Sequence, residues 1–410
     1  MINVKRPFLK LFLAQIAIIF VVVGVGIIYF AIKMHTVEEA FDYFLSYAIS
    51  DFGQCMYFTL TRNPYTSEFH TMYTPLNFVL LWPFALFCKQ DPTFLTLNAA
   101  NGAEYNKALL TSSAFWMSYL PYVFVFIALY VFLLKKLLPK DMEESNWFAL
   151  ALILSNVGIY AISRGSNVTY VLLLLLFFVW QYRSPVAWKK ELALVCLAAA
   201  GVCKYYPLIF GALLLKRKDF FGAARVAIYV VLLFFIPFFF YEGGASNIAV
   251  YFSNLGGFVV GENRIAEGGN LSGYSLVYKI ALLFGADENV RWLRYVALCF
   301  SLAILVVTAV GSIVARDRFS QYMLFCCAMT LVSPVTYYYL VLFLVFPVME
   351  YTVRFKEIDK FRKYYYLVFF SICAFLPTIA LPTYVGQTML FIGAIVIEWI
   401  HISKEKKESI

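Results

Sequence analysis

Apolar runs dominate this chain, and its polar positions gather in short stretches between them. The first run, Leu11 to Ile32, is long enough to cross a bilayer as a helix. A polar stretch from Met34 to Asn77 follows, carrying Glu38, Glu39, Asp42, Asp51, Arg62 and Glu68 with His35 and His70. Inside it, Ala40, Phe41, Phe44, Leu45, Ala48 and Ile49 recur at three-and-four spacing, which predicts an amphipathic helix lying at the lipid surface. Leu76 to Phe87 is apolar again but only about half the length of a span, and Pro83 interrupts it. That pattern predicts a re-entrant or half-membrane element. Ala114 to Leu134 reads as a full span and ends in Lys135, Lys136 and Lys140.

Basic clusters set the order of the rest. Those at Lys135 to Lys140, Arg183 to Lys190 and Lys216 to Lys218 are all assigned to the cytoplasm by the positive-inside rule, so each interval between them is a hairpin whose tip faces outside. The first hairpin rises through Trp147 to Ile162, turns at Ser163 to Asn167 and returns through Val168 to Trp180. The second runs from Leu192 to Val202, turns at Cys203 to Pro207 and descends through Leu208 to Leu215. Ala224 to Phe240 then leads to a second polar region, Glu242 to Asn270, and Gly273 to Phe284 is a further interfacial segment. Tyr295 to Val314, Phe319 to Val332 and Leu340 to Met349 cross in turn, with a tip at Ser333 to Tyr339, and a last hairpin from Tyr366 to Ile400 turns at Pro382. The expected architecture is an all-α polytopic membrane protein of about 12 spans. One integral membrane domain covers residues 1–410, with exterior regions at 34–77 and 242–294 and both termini in the cytoplasm.

Composition agrees. With 62% hydrophobic residues and only 14% charged, the chain lies far from the balance of a soluble domain. The net charge of +9 sits in the loops between apolar runs, where it meets anionic lipid, so membrane lipid and not nucleic acid is the implied partner. Lys5, Arg6 and Lys10 before the first run, with no small-residue cleavage site after it, predict an uncleaved signal anchor. Six of the eight cysteines lie in or against apolar runs and read as small buried residues. His35, His70 and His401 are too scattered for a metal site, and no metal or cofactor is expected.

The exterior tips share a chemistry. Asp51, or Asp42 as the rival, supplies a carboxylate; Arg164 with Asn167, Lys204 with Tyr205, Arg264 with Asn270, and Tyr337 supply cations and hydrogen-bonding groups expected to line one cavity. One base among several cations suits a substrate whose phosphate leaves as a hydroxyl attacks. Each piece also has a plainer reading: a solvated exterior acid, basic side chains snorkelling at helix ends, and an aromatic belt at Tyr337 to Tyr339.

The order of short motifs resembles the GT-C glycosyltransferases of family 87, the polyprenyl-phosphate-mannose-dependent mannosyltransferases. The residues concerned are Asp51-Phe52, Asn63-Pro64-Tyr65, Tyr73-Thr74-Pro75 and Arg164-Gly165-Ser166-Asn167. The small-residue run Ala198 to Pro207 follows with Lys204, and then Asn270-Leu271-Ser272 and Ser333-Pro334-Val335-Thr336-Tyr337. The family's histidine after the S-P motif is replaced here by Tyr338, Tyr339 and Leu340, and the shorter spacing from Asp51 to the N-P-Y keeps Asp42 as an alternative base. The resemblance implies a GT-C-like bundle in a bacterial inner membrane. It further implies an inverting transfer of a hexose, mannose in this family, from a polyprenyl-phosphate sugar to a glycan or glycolipid acceptor, with Asp51 as base and Arg164, Lys204 and Arg264 on the donor phosphate. Two other classes fit the same layout: a carrier or flippase for a lipid-linked solute, and an O-antigen polymerase or ligase. Midplane charges would mark a carrier, whereas here the charges sit in exterior loops and tips.

Overall fold

A computed structural model describes residues 7–34, 49–67, 71–89, 108–142, 144–261, 269–286, 291–375 and 381–407. Among them there is no strand. In chain order the helices are α1 (Pro7–Met34), α2 (Ser50–Leu60), α3 (Pro75–Ala85), α4 (Ser113–Leu137), α5 (Ser145–Ile153), α6 (Asn156–Arg164), α7 (Val168–Gln181) and α8 (Ala187–Cys203). Then come α9 (Ala212–Lys216), α10 (Phe220–Phe235), α11 (Ser246–Gly261), α12 (Gly273–Leu283), α13 (Arg291–Val314), α14 (Arg318–Leu331), α15 (Val345–Val353), α16 (Lys360–Phe370) and α17 (Leu381–Lys407). The expected surface helix over residues 40–49 falls outside the described residues, apart from Ile49.

The first apolar run is covered by α1, 28 residues long. Beyond it, four helical stretches are long and apolar enough to cross a membrane: Ser113–Leu137, Phe220–Phe240, Trp292–Val314 and Tyr384–Lys407. The first hairpin's rising limb makes a fifth only as a broken span, because α5 and α6 meet at 62°. Ser155 caps the second piece by accepting from the Gly158 amide, and a Cβ at Gly158 would lie 2.1 Å from the Ile153 carbonyl oxygen, so the break needs glycine there. The remaining apolar helices are 10–17 residues long, and the expected twelve spans are not reached among the described residues.

The chain forms two compact units: residues 1–203 with 230–254, and residues 204–229 with 255–410. In the first, α7 packs along α8 and α4, and α5 along α1. The basic C-terminal turn of α4 and the C-terminal turn of α7, which leads to Arg183, share one end, where Phe132 meets Trp180 edge-on. The short α3 stays at the other end. Its Asn77 bonds Asn167 just before α7, while Phe84, near its C-terminus, accepts from Ser118 in the second turn of α4. Pro83 does not stop this helix, which runs to Ala85. A helix of 11 residues with both ends beside the same ends of its neighbours does not cross.

In the second unit the basic ends are gathered likewise. Lys216 donates to the Ala315 carbonyl, Arg318 faces Glu350 at 3.9 Å, and His401 lies 3.6 Å from Asp317. Pro382 is the second residue of α17, in the first turn where proline is tolerated, so the last connection precedes it. Burial alone pushes the Asp317 carboxyl up, but hydrogen bonds from His401 and from the side chain and amide of Ser320 outweigh it and hold it well below the usual carboxylate range. The stability this contributes is present above the ordinary carboxylate value and lost as pH falls through the depressed one.

A buried network pins α14, α16 and α17 together at this end. Arg362 donates to Glu398 from Nη2 (2.7 Å) and Nε (3.2 Å), and from Nη2 to the Ser320 hydroxyl, while the Tyr366 hydroxyl donates to Glu398 at 2.5 Å. Glu398 is fully buried and Arg362 is 5% exposed. Glu398→Ala strands a buried guanidinium and is expected to cost about 3–5 kcal/mol, read as a lower unfolding midpoint in detergent; Glu398→Ala combined with Arg362→Leu should recover part of the loss.

Candidate functional site

The end of the first unit opposite its basic loops is built around Asp51, in the first turn of α2. Ile49 caps that helix with φ +26°, a left-handed value costly for a β-branched residue, and it is buried. The geometry is held by a partner: the Ile49 amide donates to the Ser163 carbonyl at 2.6 Å. Asp51 is thereby placed beside Arg164, the last residue of α6, whose Nη2 and Nε donate to Asp51 Oδ1 at 2.7 and 3.3 Å. Both contacts fall on one carboxylate oxygen, and among the described residues no hydrogen bond reaches Oδ2. The Arg164 Nη1 edge carries a single 3.4 Å contact to the Tyr160 hydroxyl. The side chains are 28% and 13% exposed for Arg164 and Asp51, so the pair is screened from water without being sealed.

The tip after Arg164 explains its own sequence. Gly165 takes φ +62°, and the amides of Gly165 and Ser166 donate to Ile162 and Ala161, the paired bonds of a Schellman ending. A Cβ on Gly165 would lie 2.3 Å from Phe52 Cβ, so the glycine also admits the side chain next to Asp51. Phe52 is fully buried among Phe115, Tyr119 and Tyr122. The Tyr119 hydroxyl bonds the Ile162 carbonyl, and the Tyr122 hydroxyl bonds Thr169.

Asn167 points inward. Its amide donates to Asn77 Oδ1 (3.1 Å), which also accepts from the Tyr170 hydroxyl at 2.5 Å, and Asn77 Nδ2 donates to the hydroxyl and carbonyl of Thr74. Thr74 in turn donates to the Val202 carbonyl at 3.0 Å, at the end of α8. The Y-x-P, R-G-x-N and small-residue motifs are thus one hydrogen-bonded knot. The N-P-Y motif ties the preceding loop to α11: Asn63 donates to Asn247 Oδ1 and accepts from the Tyr65 amide, and Asn254 donates to the Tyr65 and Thr71 carbonyls. Burial, with Tyr241 and Tyr251 nearby, pushes the Tyr65 phenol well above its usual value, so it stays a neutral donor to the Tyr73 carbonyl.

A second group lies in the second unit, at the end of α14 away from the basic loops. Tyr205 donates to the Ser333 hydroxyl at 2.6 Å, and Lys204, half-exposed, precedes it. Asn270 is 1% exposed: its amide donates to the Pro334 carbonyl, its Oδ1 accepts from the Ser272 and Thr336 amides, and its own carbonyl accepts from Lys279 Nζ at 2.8 Å. Tyr337 is half-buried against the Tyr339 ring. Asp42 and Arg264 lie outside the described residues.

The side chains the sequence reading passed over are Asn77, Tyr170 and Lys279. Asn77 and Lys279 stand as isolated polar residues in apolar runs, the pattern that marks a partnered or functional group at membrane depth. In sequence His401 is far from the other histidines, yet the fold brings it to 3.3 Å from Glu405 and 3.6 Å from Asp317. These three have metal-ligand donor types but include none of the candidate site residues.

A polytopic helical membrane protein with a half-screened acid–guanidinium pair at one end of its first unit is the class that fold and site define. The chain belongs to glycosyltransferase family 87, whose family model matches residues 69–334, more than half of its length. It is therefore a membrane glycosyltransferase with a sugar donor and an acceptor as substrates, which favours transfer over carriage. The matched range includes Arg164, Asn167, Lys204, Tyr205, Arg264 and Asn270, whereas Asp42, Asp51 and Tyr337 fall outside it. Comparison with the curated proteins and with the solved structures finds no match in either.

Gly165→Ala should separate Asp51 from Arg164 by forcing a Cβ against Phe52 at a left-handed position, with a stability loss of about 2–5 kcal/mol. Gly211→Ala, where nothing lies within 4 Å, is the neutral control. Unfolding midpoints and transferase activity of the two variants check this.

Proposed function

We propose that this glycosyltransferase moves a hexose, mannose by the family resemblance, from a polyprenyl-phosphate sugar to a glycan or glycolipid acceptor, with inversion and with Asp51 as general base. The observation that carries this reading is the contact between Asp51 and Arg164, which joins an acid outside the matched range to a residue inside it. The guanidinium fixes the orientation of the carboxylate through Oδ1 and leaves Oδ2 to take a proton.

The reaction balances simply. The acceptor hydroxyl oxygen bonds to the anomeric carbon as the bond from that carbon to the phosphate oxygen breaks; the bonding pair leaves with the polyprenyl phosphate, and the hydroxyl proton goes to Asp51. Charge gathering on the phosphate needs cations. Arg164 can hold Asp51 with its Nε/Nη2 edge and offer the Nη1 edge to a phosphate oxygen, since a guanidinium donates along more than one edge. Lys204 and Arg264 are assigned to the same phosphate by the family resemblance. Asn167, Asn270 and Tyr205, whose polar groups meet protein partners, act by holding the tips in shape. The positive-inside rule puts the basic ends in the cytoplasm and the chemistry on the other face, as suits a bacterial inner-membrane enzyme.

Asp51→Asn should lower the transfer rate by about 10²–10⁴-fold with an unchanged unfolding midpoint, measured as glycosidic product formed by purified protein from polyprenyl-phosphate mannose. Full activity in that variant, with Asp42→Asn inactive, moves the base to Asp42. Donor flux across proteoliposomes without a new glycosidic bond would replace this reading with a carrier.

A further inference from the structure

Away from the transfer chemistry, the second unit carries a groove of about 570 Å³ between α13 and α17. Its walls change character along their length. Val307, Val396 and Ile400 line one part and are 37–52% exposed, on helices long and apolar enough to span a bilayer, so whatever covers them is hydrocarbon. Lys404 and Lys407, exposed and three residues apart on one face of α17, line the other. Glu405 between them does not neutralise them, because its carboxylate is turned to His401 at 3.3 Å.

Trp399 lies between the two parts and is held in place. Its indole N–H donates to the Val307 carbonyl at 3.2 Å, and Gly311 makes room, since a Cβ there would sit 3.1 Å from the indole nitrogen. From Val396 to Lys404 is eight residues, about 12 Å of helix, comparable with the distance from upper acyl chain to headgroup. The groove therefore matches an amphiphile that is alkyl at one end and anionic at the other, entering from the leaflet at the basic end of the unit.

We propose that this groove binds an anionic glycerophospholipid, its acyl chains over Val307, Val396 and Ile400 and its phosphate on Lys404 and Lys407. The donor lipid is not the occupant, because Lys404 and Lys407 sit at the end of this unit opposite the Tyr205–Ser333 and Asn270–Pro334 contacts.

The test is native mass spectrometry of the full-length protein from micelles of equimolar phosphatidylglycerol and phosphatidylcholine, counting retained lipid. Wild-type protein is expected to keep phosphatidylglycerol selectively. K404Q/K407Q should weaken that retention about 10- to 30-fold, from about one kcal/mol per lysine at the surface, and Val396→Trp, which fills the groove without touching charge, should abolish it. K189Q/K190Q, which removes the same charge from the other unit, should leave it unchanged. Equal retention of the two lipids, a K404Q/K407Q effect no larger than that of K189Q/K190Q, retention undiminished by Val396→Trp, or displacement of the bound lipid by a polyprenyl phosphate overturns the proposal.

Discussion

A polar group that leaves water must find a partner inside the protein, and in this chain that constraint acts most strongly on the amide of Asn77. Fully buried, it accepts from Asn167 and Tyr170 and donates to Thr74, whose hydroxyl reaches Val202. Three segments remote in sequence are thereby given one arrangement, and the one carrying Asn167 ends the turn that begins at Arg164. An apolar substitute would leave several orphaned groups in a low-dielectric interior, so the knot specifies geometry more than it adds affinity. Asp51 and Arg164 meet because this knot, the Schellman turn at Gly165 and the Ile49–Ser163 bond all hold their two segments together.

The division of labour follows. Residues whose side chains are bonded to buried protein partners, such as Asn167 and Asn270, shape the tips, while Asp51, with Oδ2 unbonded among the described residues, and Arg164, with one long contact on its Nη1 edge, keep hydrogen-bonding capacity that the proposed chemistry would use. That division is not visible in a motif, which records both kinds of residue alike. It separates a scaffold whose disruption unfolds the tip from the proposed base, whose loss would stop only proton transfer.

Much of the fold was legible in the chain. Hydropathy marked α4, α10, α13 and α17 because each is a long apolar run with lysine or arginine near one end; of the tips expected at Ser163 to Asn167 and Ser333 to Tyr339, residues 165–167 and 333–337 lie between helices, while Ser163 and Arg164 close α6. The break between α5 and α6 was not legible, since Ser155 and Gly158 lie in an apolar background and only the 62° bend shows that the helix is capped anew there. Pro83 misled in the other direction: a helix tolerates it where the lost amide bond comes near its end. For the site, a carboxylate past the first run and an arginine at a tip were readable, but their 2.7 Å contact was not, because it depends on Ile49 adopting a conformation that its side chain disfavours. The knot at Asn77 was not legible because a polar residue in an apolar run signals that it has a partner without saying which distant residues supply it.

The short, broken helices also bear on how the chain is made. Segments of 10–17 residues, and a limb divided at Ser155, expose too little unbroken hydrocarbon to partition into lipid independently as they leave the ribosome. They must enter alongside neighbours already in place, with α4 and α13 as the early anchors. Biogenesis is then a cooperative event, and the bonds that shape the finished tips are also what retain those marginal segments in the bilayer.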